Sequence, residues 1–202
     1  MAVKKGTEIA TIDCALVSVQ TYADGADEYI LDTANHIQVE IQTETEDAVK
    51  LIVKGRLIAQ KPETVTVTGN QITLTDNVFN ASLVKILQGG TIITDPDDGS
   101  FIGYRPPVVG AMDDKGELFK LKAYSAIYNA AGVLTGYERI TYPNCQGTPI
   151  AFESEDGTFR ASDYVINSAP AEGESSYELD IIGVDELPTV TTETPVTPGS
   201  GD

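Results

Sequence analysis

The chain has 202 residues, with 31 Asp and Glu against 13 Lys and Arg, for a formal charge of −18. This length is typical of one domain or two small ones, and an apolar content of 41% is that of a folding chain rather than a disordered one. The acidic balance excludes a basic surface that would grip nucleic acid.

The first quarter of the chain predicts four β-strands, over residues 9–19, 29–31, 36–42 and 49–54. In the third of these, apolar and polar residues alternate with a period of two, which predicts one face on the core and a polar, partly acidic face outward. Glu44 and Glu46 continue the parity of Glu40 if that strand runs on. The alternating set is Ile37, Val39 and Ile41 with Gln38, Glu40 and Gln42.

The next segment, residues 64–75, predicts a β-hairpin. Gly69 and Asn70 both tolerate positive φ and suit a two-residue loop. Pairing across this loop sets Val67 opposite Ile72 and Val65 opposite Leu74, so that the threonines share the other face.

A single short helix is predicted after this hairpin. Asn80 is a suitable N-cap, Phe79 is placed to contact Val84 as a hydrophobic staple, and Gly89 with Gly90 ends the helix. The apolar residues Leu83, Val84 and Leu87 share one face at helical spacing.

Further strands are predicted at residues 119–124, 133–142, 148–152 and 177–181, with Lys120 and Lys122 facing outward. The pattern is mainly β and predicts a β-sandwich or barrel with one short flanking α-helix. We expect one domain over residues 1–187, followed by a flexible tail rich in Pro, Thr, Gly and Ser over 188–202.

No catalytic, cofactor-binding or metal-binding residues are predicted. His36 is the sole histidine and is expected at the polar start of a strand, which argues against a catalytic triad or an ordinary zinc site. Cys14 and Cys145 are 131 positions apart and are expected to be reduced, strand-borne thiols. The acidic run 95–100 lacks the ligand spacing of a calcium loop and predicts a solvated turn.

Neither a membrane-spanning segment nor a secretory signal is apparent, so no membrane anchor is expected. The lack of candidate catalytic, cofactor-binding and metal-binding residues predicts a protein that is not an enzyme.

The order of these elements resembles the major tail tube proteins of long-tailed, siphovirus-like bacteriophages or prophages of Gram-positive bacteria. The resemblance is carried by residues 69–79, the helix ending at residues 87–90, the block 137–145, residues 157–160 and residues 177–179, and it covers about residues 1–187. It implies a structural virion protein without catalytic residues or cofactor, assembled in the bacterial cytoplasm as homo-hexameric rings that stack into a hollow tube.

The implied partners are a tail terminator, a tape measure and tip proteins, with DNA passing through the tube during genome ejection without specific binding. The resemblance leaves open whether the tail is contractile.

The charge is concentrated in two segments. Residues 6–49 contain ten acids and no base, and nine further acids follow Arg160, again without a base. Because a basic wall would hold DNA by counterion release, a tube that lets DNA slide should be weakly repulsive. We predict that Glu40, Glu44 and Glu46 face the lumen. The alternative is that these acids form a solvated outer face or loop.

Assembly is predicted to use strand edges, with the polar segments 43–48 and 95–107 becoming ordered against a neighbouring subunit. Two other functions compete with the tail tube interpretation: an acidic β-sandwich binding module, such as one for carbohydrate or cell wall, and a capsid decoration protein. The absence of Trp and of a calcium loop argues against the binding module.

Overall fold

The computed structural model describes residues 8–23, 26, 28–110, 115–151, 156 and 162–189. Within these ranges the chain forms twelve strands, one α-helix and a short 3-10 helix at Val184–Glu186. The helix α1 is Ala81–Gln88, and the strands are β1 (Thr11–Thr21), β2 (Glu28–Leu31), β3 (Ala34–Glu46), β4 (Val49–Val53), β5 (Arg56–Lys61), β6 (Thr64–Asp76), β7 (Thr91–Thr94), β8 (Phe101–Arg105), β9 (Phe119–Tyr128), β10 (Leu134–Gly147), β11 (Ser162–Ser168) and β12 (Glu178–Ile182). The predicted mainly-β fold with one short helix is confirmed.

Eight strands form one antiparallel sheet in the order β2-β1-β9-β10-β11-β6-β3. The eighth strand, β12, pairs with β10 over Tyr137–Thr141, whereas β11 pairs with β10 only at its end, over Cys145–Gly147. Although four strands separate β1 from β3 in this order, the two strands contact each other. The sheet therefore curls until its ends approach, as in an open barrel.

The hydrophobic core lies on the concave side of this sheet and is completed by α1. Seventeen buried residues form one cluster, to which the helix contributes Leu83, Val84, Ile86 and Leu87 and the sheet contributes residues such as Phe119, Leu121, Ile72, Leu74 and Tyr164. Fully burying one such large apolar side chain stabilises the fold by about 1.5–3 kcal/mol. An eight-residue helix is too short to be stable alone, so this packing maintains it.

The predicted helix ends are confirmed. The side chain of Asn80 accepts a hydrogen bond from the backbone N–H of Leu83 at 3.0 Å, and Gly89 and Gly90 have φ values of 83° and 88°. On β8, the Tyr104 hydroxyl donates to the Gly89 carbonyl oxygen at 2.6 Å. It also accepts from the Gln88 side-chain amide at 3.0 Å. These bonds attach the β7–β8 hairpin to the end of the helix.

The predicted hairpin at Gly69-Asn70 is wrong. Residues 64–76 form one continuous strand, β6, which pairs with β3 along its length and with β11 over residues 70–76. Ile72 pairs with Val39 and Val67 pairs with Thr43, so Val67 and Ile72 are not cross-strand partners.

A β-bulge explains why the sequence suggested a loop here. Gln42 pairs with Gly69 and Thr43 pairs with Val67, which leaves Thr68 as an extra residue in β6. One extra residue reverses the in–out parity of a strand, just as a two-residue loop does. Gly69 is required because a Cβ atom there would overlap the carbonyl oxygen of Ser168. Asn70 is buried and donates to the carbonyl oxygen of Ser176 at 2.8 Å.

The two-residue hairpin of this region lies elsewhere, at Lys54-Gly55 between β4 and β5. Both residues have positive φ, 49° and 78°, as a type I′ turn requires. Lys is an unusual first residue for this turn, and the sequence pattern therefore did not identify it.

Other expectations have mixed outcomes. Residues 148–151 are not a strand, although residues 148–152 were predicted to be one, and residue 152 lies outside the described residues. The two segments expected to become ordered against a neighbour are already largely regular, because residues 43–46 belong to β3 and Phe101–Arg105 is β8.

The run 95–100 is a turn, as predicted. The tail from residue 190 onward and the block 157–160 lie outside the described residues.

Substitution of Gly69 tests the continuous strand. We expect Gly69→Ala to lower the free energy of unfolding by roughly 2 kcal/mol or more, because the added methyl must displace the backbone of β11. Gly103→Ala is the control, since it too lies in a strand, without positive φ and with no atom near the added Cβ. Urea unfolding of both variants measures the difference, and equal stabilities would contradict the assigned close approach.

Candidate functional site

The convex side of β3, β6 and β11 is a continuous polar surface, here called the polar face. The pairing register places Glu40 opposite Gln71, Glu44 opposite Thr66 and Glu46 opposite Thr64. The apolar residues Ile37 and Val39 alternate with these and pack on the core. The polar face consists of His36, Gln38, Glu40, Gln42, Glu44 and Glu46 on β3, Thr64, Thr66, Gln71, Thr73 and Thr75 on β6, and Asp163, Val165 and Asn167 on β11.

The polar face has no cation of its own. None of the three strands contains a Lys or Arg. Its one contact with a cation in the described residues is at the far end, where Lys61 of β5 lies 2.6 Å from Glu46. Both side chains of this pair are more than half exposed, so it contributes at most about 1 kcal/mol. Glu40 and Glu44 leave the rest of the surface negative.

The predicted site residues Glu40, Glu44 and Glu46 therefore share one exposed face. His36 lies near the start of β3 and is exposed, as expected. Whether this face lines a lumen remains a prediction.

The distal half of the β3–β6 pair extends past the core, together with the β4–β5 hairpin. Residues 40–68 are exposed except Ala48, which is half-buried; this segment is called the arm. Large apolar side chains are nevertheless frequent in it, and nine of them are at least 47% exposed: Ile41, Val49, Leu51, Ile52, Val53, Leu57, Ile58, Val65 and Val67. An exposed apolar surface of this extent is typical of an interaction site.

Sequence reasoning did not identify the arm. Its apolar strands have the composition of core strands, and exposure depends on how far the core extends. The one available signal was the high density of Val, Leu and Ile beside Lys and Arg over residues 49–61.

Several strand edges lack a partner. Among the described residues, β3 pairs only with β6, β12 pairs only with β10, and β4 and β5 pair only with each other. The 13-residue β3 contains no Pro or Lys, the residues that usually protect an edge strand. Its unpaired backbone N–H and C=O groups are available to another chain.

The convex side of β1, β2, β9, β10 and β12 differs because it contains paired charges; it is called the mixed face. The Lys122 ammonium lies 2.9 Å from the Glu28 carboxylate, and Ser18 donates to the same carboxylate at 2.5 Å. Arg139 lies 2.9 Å from Asp180. Burial raises the pKa of Glu28, but the hydrogen bonds from Ser18 and Lys122 outweigh it, and the pKa is lowered overall.

Among the described residues, the two thiols and the cleft beside the start of α1 show no catalytic arrangement. Burial raises the pKa of the Cys145 thiol to about 12, so at neutral pH it is not a thiolate, and the pKa of Cys14 is raised by the same cause. A cleft of about 460 Å³ beside the start of α1 includes Asp76, whose carboxylate already accepts from Thr33 and from the backbone of Val78. The described residues contain no group of three or more His, Cys, Asp or Glu placed to hold a metal ion.

Among the described residues, no helix combines the length and the apolar character needed to cross a membrane.

No protein-family model matches the chain, and no curated protein matches it. Among solved structures, the chain is similar to one in the extended sheath–tube complex of PVC, an extracellular contractile injection system. This match has 12% identity, covers 83% of this chain and 90% of the other, and has a TM-score of 0.40. It is also similar to a chain of the six-fold symmetrised baseplate of the anti-feeding prophage (AFP), with 7% identity, coverage of 91% and 99%, and a TM-score of 0.36.

The half-buried Lys122–Glu28 ion pair of the mixed face has a testable pH dependence. Because the pKa of Glu28 is lowered in the fold, its stabilisation is present at neutral pH and is lost as pH falls through that lowered pKa. We expect Glu28→Gln to reduce the free energy of unfolding at pH 7 by about 1 kcal/mol. The difference from wild type should shrink below the ordinary carboxyl pKa of 4.5.

Denaturant unfolding between pH 3 and pH 7 measures this difference. Glu172→Gln is the control, since Glu172 is exposed and has no hydrogen-bond or ion-pair partner in the described residues. A Glu28→Gln effect that does not vary with pH would contradict the role assigned to the charge.

Proposed function

We propose that this chain is a structural tail tube subunit that polymerises as stacked hexameric rings, with the polar face lining a channel for DNA. The single observation that carries the proposal is the polar face itself. Three adjacent strands present carboxylates, amides and hydroxyls, and none of them contains a cation. Neutral polar and acidic groups stay hydrated and form no ion pairs with phosphates, so duplex DNA can slide past them.

The extended edges support polymerisation. A 13-residue edge strand is an aggregation hazard in a monomer, but it is useful in a ring where each subunit's sheet continues into the next. Closing the ring removes the free edge from every subunit. The exposed apolar side chains of the arm point to the same conclusion, because they would be covered only after assembly.

The resemblance noted in the sequence agrees with this interpretation, and it supplies the number of subunits in the ring and the expected partners at the tube ends. In this proposal the subunit has no catalytic task and needs no cofactor. The particle would be assembled in the host cytoplasm and released as part of a virion tail.

Neutralising the polar face tests the channel. We expect the triple variant Glu40→Gln, Glu44→Gln and Glu46→Gln to form normal tubes but to slow genome ejection by about 2- to 10-fold, because a weaker repulsion lets DNA dwell at the wall. Negative-stain microscopy of purified protein measures assembly. Release of DNA from particles containing the variant, triggered in buffer and followed by dye fluorescence, measures ejection.

The matched control removes three charges elsewhere. Asp95→Asn, Asp97→Asn and Asp98→Asn lie in the β7–β8 turn, where Asp97 and Asp98 are exposed, Asp95 is half-buried, and Asn can preserve the Asx hydrogen bonds. Normal tubes with unchanged ejection in the Glu variant would refute the acidic channel and leave the tube intact. Failure of the wild-type protein to form hollow tubes under any condition would refute the whole proposal.

A further inference from the structure

The β4–β5 hairpin has a charge opposite to that of the protein around it. Residues 49–61 contain four cations, Lys50, Lys54, Arg56 and Lys61, and no acid, in a chain of net charge −18. Lys61 is paired with Glu46, but the other three form no ion pair within the described residues. Every residue of the hairpin is exposed, so the described part of its own subunit leaves it uncovered.

A surface with the complementary features lies at the other end of the chain, along β12. The strand is an edge whose apolar side chains Leu179 and Ile181 are 47% and 51% exposed. Six acids lie between residues 172 and 186, and no base follows Arg160. Glu174, Asp180 and Glu186 are already hydrogen-bonded or ion-paired within the subunit, which leaves Glu172, Glu178 and Asp185 without partners in the described residues.

We infer that the β4–β5 hairpin of one subunit docks on the β12 edge of a second copy of this chain, and that this contact helps hold the assembly together. The inference rests on the proposed self-assembly and identifies the two surfaces that meet. Three unpaired cations on exposed apolar strands face three unpaired carboxylates beside an exposed apolar edge.

The lengths of β4 and β12 and the side chains on their two faces are compatible with pairing between these strands. β4 and β12 are each five residues long, and each has an edge without a partner in the described residues. In β4 the residues Val49, Leu51 and Val53 share one face and Lys50 lies on the other. In β12, Leu179 and Ile181 share a face while Glu178 lies on the other. Edge-to-edge pairing therefore sets apolar residues beside apolar ones and Lys50 near Glu178.

A second copy fits better than other partners of the same chemistry. A basic apolar hairpin has the chemistry to bind DNA or an anionic membrane, but each subunit carries a large excess of negative charge outside the hairpin, and that charge is repelled by phosphate surfaces. Another copy is also highly acidic overall. A local match of charge and apolar surface, such as the one on β12, offsets part of the repulsion between two such subunits.

Charge reversal with reciprocal rescue tests the contact. We expect Lys50→Glu with Arg56→Glu to raise the protein concentration needed for tube formation by about tenfold or more. Adding Glu178→Lys and Asp185→Lys to the same chain should restore it. The matched control, Arg105→Glu with Lys115→Glu, makes the same change in net charge at exposed positions outside the hairpin and should have a much smaller effect.

A positional test complements this one. Subunits carrying Leu51→Cys, on the strand β4 that would pair with β12, are mixed with subunits carrying Leu179→Cys under mild oxidation, and each variant alone is the control. We expect a covalent dimer that forms only in the mixture. Normal tubes in the reversed variant together with no mixed dimer would overturn the docking while the tube proposal stands.

Absence of hollow tubes in the wild-type protein, with no mixed dimer, would overturn both proposals. Sedimentation of the full chain with vesicles of phosphatidylcholine and phosphatidylserine, or with duplex DNA, tests a membrane and DNA as alternative partners of the hairpin. Binding to either one that is lost in Lys50→Glu with Arg56→Glu would also overturn the docking.

Discussion

One face of the curled sheet closes over α1, and the position of every other surface depends on how far this core extends. The helix buries Leu83, Val84 and Leu87 against the concave side, and the sheet curls until β1 and β3 approach. This core reaches only the first half of β3 and the second half of β6, where residues such as Ile72 and Leu74 are fully buried. Beyond it the same two strands continue as an exposed arm.

The surfaces of the molecule follow from that geometry. In β3 and β6 alternate residues point away from the main core to the convex side, so the glutamates of β3 and the threonines of β6 are brought together although they are far apart in sequence. Gly69 lies against the end of β11, and the bulge at Thr68 precedes it in β6. Because of this bulge, Thr64 and Thr66 point to the same face as Gln71 and Thr73. The pairing register therefore determines which side chains form the polar face. The arm is exposed because β3 and β6 are longer than the core that covers them.

The charge distribution has a physical consequence for association. Copies with a charge of −18 repel one another, and hydrophobic burial has no direction, so an exposed apolar arm alone would not select a particular contact. Unpaired strand edges and local opposite charges supply direction and register. Among the described residues, the β4–β5 hairpin combines three cations that have no ion pair with no acid at all, whereas carboxylates without partners lie on other exposed strands and loops, and this contrast favours ordered over random association.

The sequence by itself determined features that depend on neighbours along the chain. The alternation in β3, the N-cap at Asn80 and the glycines after Gln88 each express local physics, and the structure agrees with them. The segregation of charge was also visible in the residues. The prediction of a hairpin at Gly69-Asn70 was wrong because a two-residue loop and a bulge change the parity of a strand in the same way. The local sequence does not indicate which strand pairs with residues 64–76.

Only the tertiary structure decided which apolar strands are covered and which edges are open. Val65 and Val67 resemble Ile72 and Leu74 in composition and pattern, yet the first pair is exposed and the second is buried. The difference arises because burial requires other elements, distant in sequence, to reach a residue, and α1 with its facing strands reaches only part of the β3–β6 pair. The same reason places Glu40, Glu44 and Glu46 with the threonines of β6, since pairing between distant segments sets which side chains share a face.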